Sequence, residues 1–451
     1  MCASFTILPG HRIPLIDIAL LFTSNNVNVT IVTTLYNAQL INKAVHDSGH
    51  KINLHVLQFP SAEVGMPEGI ETFGLATSLD IAGKIFKAFM LLRQSMEQFV
   101  RETRPDCIVA DMHFFWASHL AHEWGIPRLV FHARSFFALC AAESISLYKP
   151  HEMVQSDEDP FVIQGLPGRI WMKRTEIPDW VRLPNGYTEF MKKIADSDQK
   201  SYGVIVDSFY ELENDYAVHY RNILGRRFWA LAPVSISNKS NTRMNAEGHE
   251  DPCLSWLDSK KPNDLLDLRW PVIFQLGPAH RIASALDSLT HPFIWAVKKA
   301  QNGWLDDFKM MKSKKGLIIK GWAPQVMILN HQSVGLFVTH CGWNSVLESV
   351  TAGVPMVTWP ISAEQFYNDK LKWTQSIGEC RCLVRREKMD EVVREMMDAG
   401  GESAKRMRER AAELLEAAKR AVDVGGHSYN ELKSLIAELQ LLKSCHKQSL
   451  V

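Results

Sequence analysis

The sequence lacks several features, and each absence narrows the class of protein. Lysine and arginine together number 50, as do aspartate and glutamate, so the chain has none of the basic excess that nucleic-acid-binding proteins carry. No apolar run is long enough to span a membrane, and no basic stretch precedes an apolar one near the N-terminus. We therefore expect a protein with no nucleic-acid partner and no membrane span, located in the cytoplasm.

The sequence also lacks the cysteine spacing of metal sites and disulfide frameworks. None of its eight cysteines forms a Cys-x-x-Cys pair, and Cys380 and Cys382 are too isolated from other ligands for a metal site. Scattered cysteines of this kind are typical of reduced thiols in the cytosol. Because no cluster of acidic residues indicates a divalent cation, we expect neither a metal nor another cofactor.

Predicted strands and helices alternate along the chain. The strand-like segments are 5–8, 28–34, 54–59, 107–110, 128–131 and 203–207, followed by 271–274, 292–297, 316–319, 334–339 and 355–358. The helical patterns include 13–22, 79–103, 114–124 and, at the end of the chain, 428–442. This order predicts an α/β fold with parallel sheets covered by helices on both faces, and ligand sites beyond the carboxyl ends of the strands.

A polar segment separates the two series of strands. It contains few apolar side chains, and a chain of 451 residues is more commonly two domains than one. We predict an N-terminal domain at 1–235, a linker at 236–252, a C-terminal domain at 253–427, and a last helix at 428–451 that packs back on the N-terminal domain. A cleft between two α/β domains is the usual place for a ligand.

The most informative stretch of the sequence runs from Trp322 to Gln365. It contains an apolar strand at 334–339, then the polar loop His-Cys-Gly-Trp-Asn-Ser at 340–345, and a helix that we predict to begin near Ser345. Backbone N–H groups at a helix N-terminus and the dipole of the helix attract anions. This order of elements predicts a phosphate-binding site.

Side chains in and around the loop extend this predicted site. His340, Asn344 and Ser345 add hydrogen-bond donors at the start of the helix. Glu348 lies one helical turn further along the same face, where a carboxylate suits a ribose diol. Trp322 supplies a flat face for a base. These residues predict a site for a nucleotide diphosphate that is joined to a polar group.

From WAPQ through HCGWNS and the glutamate of LES to the closing Glu-Gln, residues 322–365 resemble the signature box of the plant family-1 UDP-dependent glycosyltransferases, the secondary-product glucosyltransferases. The resemblance implies the GT-B fold, in which two Rossmann-like domains face each other across a cleft. It further implies that the N-terminal domain binds the acceptor and that the C-terminal domain binds the UDP-sugar.

The resemblance also implies a role for each residue of the box. The base and ribose would be held by Trp322, Ala323, Gln325 and Glu348, the diphosphate by His340, Asn344 and Ser345, and the sugar by Trp343, Glu364 and Gln365. A carboxylate beside a carboxamide suits two neighbouring sugar hydroxyls. A final glutamine resembles the form of the box that prefers glucose, whereas a histidine marks galactose.

Two residues outside the box are candidates for the chemistry. His11 follows Gly10 after the first predicted strand, and Asp111 follows the strand at 107–110. Taken alone, each would be interpreted as a helix cap or a solvent-exposed polar residue. The resemblance implies instead that His11 is the general base for the acceptor hydroxyl and that Asp111 holds it. An imidazole titrates near neutral pH and a carboxylate orients it, so the pair suits this task.

The sequence departs from the family pattern in three places. Pro9 adjoins Gly10, which shortens the opening strand. Relatives carry Phe-Gly-Ser or a similar sequence near Gly277-Pro278, and a proline lacks the N–H that would bind the diphosphate. The loss of one such charge-assisted hydrogen bond costs about 1.5–3 kcal/mol. The segment 371–383 is also shorter than the family pattern, so it and 263–280 match poorly.

We therefore predict an enzyme that transfers glucose from UDP-glucose to a hydroxyl of a small lipophilic plant metabolite, a flavonoid or another phenol. The configuration inverts, giving a β-O-glucoside. Its partners are the UDP-sugar and the small-molecule acceptor, and the chain is expected to be a monomer. Candidate residues for the wall of the acceptor pocket are Phe114, Phe115, Trp116, Phe136 and Phe137.

Three alternatives remain open. In the first, the acceptor is a triterpenoid, a steroid or abscisate. In the second, the chain is a catalytically impaired relative that binds a UDP-sugar without turnover, because the diphosphate loop near Gly277 is altered. The third is another GT-B enzyme of nucleotide sugars, such as an epimerase, and the WAPQ and HCGWNS sequences argue against it.

Overall fold

The structure is a computed structural model, and it describes residues 2–4, 9–231, 233–237, 252–270, 286, 289–297, 315–321, 323–371, 375–376, 386–398 and 400–448. The strands are β1 (Cys2–Ser4), β2 (Thr30–Thr34), β3 (Asn53–Leu57), β4 (Ile108–Asp111), β5 (Arg128–His132), β6 (Pro160–Val162), β7 (Trp171–Lys173), β8 (Gly203–Val206), β9 (Phe228–Ala230), β10 (Leu265–Trp270), β11 (Phe293–Val297), β12 (Gly316–Lys320), β13 (Val334–Thr339), β14 (Met356–Thr358) and β15 (Gln375–Ser376).

The helices are α1 (Pro9–Ser24), α2 (Leu35–Asp47), α3 (Leu79–Leu91), α4 (Arg93–Thr103), α5 (Ala117–Glu123), α6 (Phe136–Tyr148), α7 (Asp179–Arg182), α8 (Gly186–Gln199), α9 (Tyr210–Asn222), α10 (Val234–Ser237), α11 (Pro252–Asp258), α12 (Gln325–Leu329), α13 (Trp343–Ala352), α14 (Gln365–Asn368), α15 (Arg386–Met397), α16 (Glu402–Val422) and α17 (His427–Gln448). Among the described residues, no helix combines the length and the apolar character that crossing a membrane requires.

The chain forms two compact units. The first comprises Met1–Phe136, Asn185–Thr242 and Arg420–Val451, and the second comprises Phe137–Pro184 and Arg243–Lys419. These units differ from the predicted domains, because 137–184 groups with the second unit although the predicted N-terminal domain included it. Most of the predicted linker, at 238–251, lies outside the described residues.

The first unit is built on a parallel sheet of seven strands in the order β3-β2-β1-β4-β5-β8-β9. Its inner strands β4, β5 and β8 are buried from end to end, as expected when helices cover both faces. The strand order reverses at β1, which pairs with β2 on one side and with β4 on the other. Doubly wound sheets bind ligands beyond the carboxyl ends of the strands at such a switch point.

The core of the first unit includes the last helix of the chain. Helix α17 contributes Leu432, Leu435, Ile436 and Leu439, whose spacing of three and four residues places them on one helical face. They pack in one cluster with residues of α1 and of the sheet, such as Phe22. Full burial of each such side chain stabilises the folded state by about 1.5–3 kcal/mol.

The second unit is built on a parallel sheet of six strands in the order β12-β11-β10-β13-β14-β15. Strands β11 and β13 are buried throughout. The order reverses at β10, which pairs with β11 and with β13. The loop that follows Thr339, the last residue of β13, therefore begins at the switch point of this sheet.

The predicted strands agree with the observed ones to within about two residues wherever the structure describes them, and β13 has the predicted bounds. The helix predicted at 79–103 is divided into α3 and α4. Strand β10 was not predicted, because Asp267 interrupts its apolar pattern, although this aspartate is buried in the sheet. The strands predicted at 5–8 and 271–274 lie outside the described residues, and the observed β1 precedes the first of them.

Candidate active site

His11 and Asp111 meet at the switch point of the first sheet. Nδ1 of His11 lies 2.5 Å from Oδ2 of Asp111, within hydrogen-bonding distance. Asp111 is the last residue of β4, and His11 lies in the first turn of α1, which follows β1. Because β1 and β4 are neighbouring parallel strands, their carboxyl ends lie side by side, and the sheet brings the two residues together across 100 positions of sequence.

A third residue, His113, belongs to the same cluster and was not predicted. Its Nδ1 lies 2.5 Å from Oδ1 of Asp111, and its backbone N–H donates a hydrogen bond to the same oxygen at 3.0 Å. The carboxylate of Asp111 therefore lies between two imidazoles, each on a different oxygen. The signal available in the sequence was the order Asp-Met-His directly after a strand, since an aspartate commonly accepts a hydrogen bond from the backbone two residues on.

Burial and hydrogen bonding act in opposite directions on Asp111. Its side chain is fully buried, and burial alone would raise the pKa of the carboxyl. The attraction and the hydrogen bonds of His11 and His113 outweigh this and hold the pKa well below its usual range. Burial lowers the pKa of His113, and Asp111 offsets this only in part. At neutral pH the cluster therefore contains an ionised carboxylate and a neutral His113.

The tautomers of the two histidines follow from the carboxylate. With a proton on Nδ1, each ring donates to Asp111 and presents Nε2 as a hydrogen-bond acceptor. The side chain of His11 is 14% exposed, whereas that of His113 is 6% exposed. His11 is therefore the more accessible of the two bases.

The same three residues are the described group whose composition suits a metal ion. One ligand atom from each of His11, Asp111 and His113 lies within 4.8 Å of the others. The two ring nitrogens, however, lie at hydrogen-bonding distance from different oxygens of Asp111. The geometry is accounted for by hydrogen bonds, with the carboxylate placed between the imidazoles.

The loop after β13 in the second unit is held by the residues around it. The backbone N–H of Cys341 donates to Oγ1 of Thr339 at 3.2 Å, and the amide of Asn368 donates to the carbonyl of Cys341 at 2.9 Å. Cys341 itself has a positive φ of 66°. Helix α13 then begins at Trp343 after Gly342, which provides no side-chain cap. The first turn of such a helix presents N–H groups that its own carbonyls cannot satisfy.

His340 is placed beside this helix start with one nitrogen unused. Its Nδ1 is inaccessible to solvent and has no hydrogen-bond partner among the described residues. Burial lowers the pKa of His340 to about 4, so the ring is neutral at physiological pH. Because buried polar atoms are nearly always paired, this nitrogen is available for a hydrogen bond with a further group.

The side chain of Ser345 lies in the same first turn of α13. Nε2 of Gln325 donates to its Oγ at 3.1 Å, which leaves the hydroxyl proton of Ser345 available for another acceptor. Glu348 follows one turn later and is partly buried. Ala323, at the start of the box, is buried, and Trp322 lies outside the described residues.

The end of the box has a defined geometry at Gln365. Its side-chain oxygen accepts hydrogen bonds from the backbone N–H groups of Ile361 and Ser362, at 2.9 and 3.0 Å. The side-chain N–H groups of Gln365 are thereby directed away from this turn. Glu364 is the residue before Gln365, at the start of α14. Trp343 is 2% exposed, so its ring is covered within the unit.

The predicted wall residues of the acceptor pocket are mostly core residues. Four of them are 0–6% exposed, namely Phe114, Trp116, Phe136 and Phe137. Phe115 alone is partly exposed, and its ring lies 5.7 Å from that of Phe190 of α8. An aromatic cluster surrounds Phe190, consisting of Phe86, Phe115, Tyr187 and the ring of His113. The sequence did not indicate it, because its members come from three separate segments.

Comparison with known proteins gives consistent results. A family model described as UDP-glucoronosyl and UDP-glucosyl transferase matches residues 277–384. The chain is 44% identical to UDP-glucose flavonoid 3-O-glucosyltransferase 7 of Fragaria ananassa, over 95% of this chain and 94% of that protein. It is 41% identical to UDP-glucosyl transferase 73CC6 of Saponaria officinalis, over 97% and 96% of the two chains.

A solved structure matches the fold of this chain along its whole length. The crystal structure of Glycyrrhiza uralensis UGT73P12 complexed with glycyrrhetinic acid 3-O-monoglucuronide matches with a TM-score of 0.92 at 36% identity, over 100% of this chain and 97% of that one. A likeness of this extent defines a glycosyltransferase of the GT-B class. The chain belongs to the plant family-1 UDP-dependent glycosyltransferases. The family and the fold class predicted from residues 322–365 are confirmed.

Proposed function

We propose that this enzyme transfers glucose from UDP-glucose to a hydroxyl of a flavonoid or another plant phenol, with inversion to a β-O-glucoside. The observation that carries the proposal is the contact of His11 Nδ1 with Asp111 Oδ2 at 2.5 Å. A relative 44% identical to this chain is named a flavonoid 3-O-glucosyltransferase, which supports a phenolic acceptor.

His11 is the general base in this proposal. Its Nε2 takes the proton of the acceptor hydroxyl, whose oxygen attacks the anomeric carbon from the side opposite UDP. The new carbon–oxygen bond forms as the bond from that carbon to UDP breaks, and the glucose inverts from α to β. Asp111, ionised and fully buried, stabilises the positive charge that His11 acquires.

The leaving diphosphate acquires charge during this step, and the start of α13 would receive it. His340, Asn344 and Ser345 are proposed to donate to its oxygens, together with the N–H groups of the first helical turn. The unused buried Nδ1 of His340 supports this assignment. The proposal requires no metal, because the developing charge is stabilised by these donors.

The remaining residues of the box are assigned to the nucleoside and the sugar. Trp322 is proposed to stack on uracil beside Ala323, and Gln325 and Glu348 to bind the ribose. Glu364, Gln365 and Trp343 are proposed to contact the glucose. For Gln365 the proposal is supported by the fixed orientation of its amide, whose oxygen is held by Ile361 and Ser362.

A second candidate is a triterpenoid acceptor. The structure that matches this chain at a TM-score of 0.92 is described as complexed with glycyrrhetinic acid 3-O-monoglucuronide. A largely apolar acceptor suits the aromatic cluster around Phe190 as well as a phenol does. An acceptor panel must therefore include both classes.

The test is a measurement of UDP release from UDP-glucose by the purified chain with a panel of flavonols, coumarins and triterpenoid acids. We expect turnover of a flavonol such as quercetin, and a β-glucoside identified by the coupling constant of its anomeric proton. His11→Ala should lower kcat by about 10²–10⁴-fold, the usual contribution of a general base. His119→Ala, which replaces an exposed histidine of α5, is the matched control.

The alternative of a catalytically impaired relative predicts a different result in this assay. If calorimetry shows that the wild-type chain binds UDP-glucose and no acceptor in the panel releases UDP, the chain is a binding protein and the transferase proposal is wrong. The segment at Gly277, on which this alternative depends, lies outside the described residues.

We also propose that the protein is a cytoplasmic monomer. Cys107, Cys140, Cys253, Cys341 and Cys445 are not joined in disulfides, which suits a reducing compartment. Light scattering coupled to gel filtration and subcellular fractionation test these two statements.

A further inference from the structure

The carboxylate of Asp111 is held on both of its oxygens. Nδ1 of His11 contacts Oδ2. His113 contacts Oδ1 at two points, through its ring Nδ1 at 2.5 Å and through its backbone N–H at 3.0 Å. A rotation of the carboxylate about its bond to Cβ would break all three contacts. The orientation in which Oδ2 faces His11 is therefore determined largely by His113.

The ring of His113 is itself held in place. It stacks on Phe190 of α8, with ring centroids 6.1 Å apart and planes 21° apart. Phe86 and Phe115 pack edge-on against Phe190, at 4.8 and 5.7 Å. The ring of His11 lies on another side of His113, at 5.2 Å. The imidazole of His113 is thus fixed by the aromatic cluster and is 6% exposed.

The charged groups around His113 favour its neutral form. Burial is the largest influence and lowers its pKa, and Arg134 and a protonated His11 act in the same direction. Asp111 alone opposes them. Arg128, which is buried, also lies near enough to Asp111 to interact with its charge. A neutral His113 with its proton on Nδ1 acts as a hydrogen-bond donor to Asp111.

We infer that His113 is a positioning residue for the transfer reaction, and that it acts by holding Asp111 in the orientation that presents Oδ2 to His11. The inference rests on the proposed function, in which His11 is the base. His113 need not touch the acceptor for this role. Its effect should appear in kcat and in the pH dependence of kcat, whereas the KM of either substrate should change little.

The test compares two substitutions that differ in one hydrogen bond. His113→Phe keeps a ring that can stack on Phe190 and removes the ring donor to Asp111. His113→Asn retains an amide N–H near the position of Nδ1. We expect His113→Phe to lower kcat by about 10- to 100-fold, the effect of a small displacement in an active site. The KM of acceptor and donor should stay within about twofold of wild type, and His113→Asn should recover most of the lost kcat.

The pH profile gives a second measure with a defined sign. Without the ring donor, the negative charge of Asp111 is less well stabilised and acts more strongly on the proton of His11. The pKa of Asp111 should therefore rise, and the acidic limb of kcat against pH should move upward in His113→Phe. It should return toward wild type in His113→Asn. His11, Asp111, Arg128 and Arg134 remain unchanged in both variants.

Several outcomes would overturn the inference. One is a His113→Phe enzyme with wild-type kcat and an unmoved acidic limb. Another is a change confined to the KM of the acceptor, which would make His113 a wall residue of the acceptor pocket. Should His113→Phe fail to fold, as judged by circular dichroism, His113→Leu provides a second variant without the ring donor. If instead His11→Ala retains full activity, the proposed base is wrong, and that result is distinct from any result with His113.

Discussion

Gly342 approaches His340 so closely that a Cβ at position 342 would lie 2.6 Å from Nε2 of the imidazole. The backbone at Gly342 has ordinary extended angles, φ −62° and ψ 139°, which alanine adopts without strain. The need for glycine at this position is therefore a matter of space. It allows the imidazole to lie against the start of α13, where we propose that the diphosphate binds.

Gly342→Ala should weaken binding of the sugar donor. The added methyl group must displace the ring of His340, and the loss of one charge-assisted hydrogen bond costs about 1.5–3 kcal/mol, so the Kd for UDP should rise about 10- to 100-fold. Isothermal titration calorimetry with UDP measures it. Gly83→Ala in α3 is the control, because a Cβ there meets nothing within 4 Å. Equal UDP affinity in wild type and Gly342→Ala would contradict the assignment of His340.

His340 should also make stability depend on pH. Its pKa is about 4 in the folded chain, below the ordinary value of about 6.5, so protons bind preferentially to the unfolded chain between these two values. The free energy of unfolding should fall as the pH is lowered from about 6.5 to 4, by on the order of 2–3 kcal/mol from this residue, with no further contribution below that. Above pH 6.5 both states are neutral and the contribution is absent.

The measurement is urea unfolding of wild type and His340→Asn across this pH range. The difference between the two curves isolates His340 from other buried histidines whose pKa is also lowered, such as His113 and His151. We expect the difference to grow between pH 6.5 and 4 and to be flat above it. Parallel curves over the whole range would show that His340 is not buried in its neutral form.

Asp111→Asn should abolish most of the activity. An amide can accept from only one of the two imidazoles through its oxygen, and it carries no charge to stabilise a protonated His11. We expect kcat to fall about 10²–10⁴-fold with little change in the Kd for UDP. Asp198→Asn is the matched control, because Asp198 also pairs with a buried histidine, His132, at 2.8 Å. If Asp198→Asn lowers kcat as much as Asp111→Asn, the effect is one of stability.

Gln365→His should change the choice of sugar. The resemblance of the box associates glutamine with glucose and histidine with galactose, and here the oxygen of Gln365 is fixed by two backbone N–H groups. A histidine has no carboxamide oxygen to accept hydrogen bonds from both of these N–H groups. It also has no side-chain amide protons to donate to the sugar. We expect the ratio of kcat/KM for UDP-glucose to that for UDP-galactose to fall by about tenfold or more, a difference of about 1.4 kcal/mol. An unchanged ratio in competition assays would contradict the proposed contact of Gln365 with the sugar of the donor.

The parts of the site that could be predicted from the sequence depend on strand ends. His11 and Asp111 each follow an apolar run, and parallel strands bring such ends together, so their contact follows from the topology. The loop after β13 was predicted for the same reason, because an apolar strand, a polar loop and a helix are continuous in sequence.

The parts that could not be predicted depend on the orientation of side chains. His113 is near Asp111 in sequence, but its role follows from a ring orientation that Phe190 of α8 imposes from 77 positions further along the chain. Phe114 and Trp116 were predicted to line a pocket and are core residues, because an apolar residue at a strand end carries no sign of which face it occupies. Strand β10 was missed because a buried aspartate breaks its apolar pattern.

Helix α17 places a constraint on the timing of folding. Four of its apolar residues complete the core that begins with α1 and β2, so that core lacks one side until more than 400 residues have been synthesised. During translation, the apolar face that α17 covers therefore stays exposed until the second unit and α17 have been synthesised. A chaperone that covers this face is expected to raise the yield of the folded full chain.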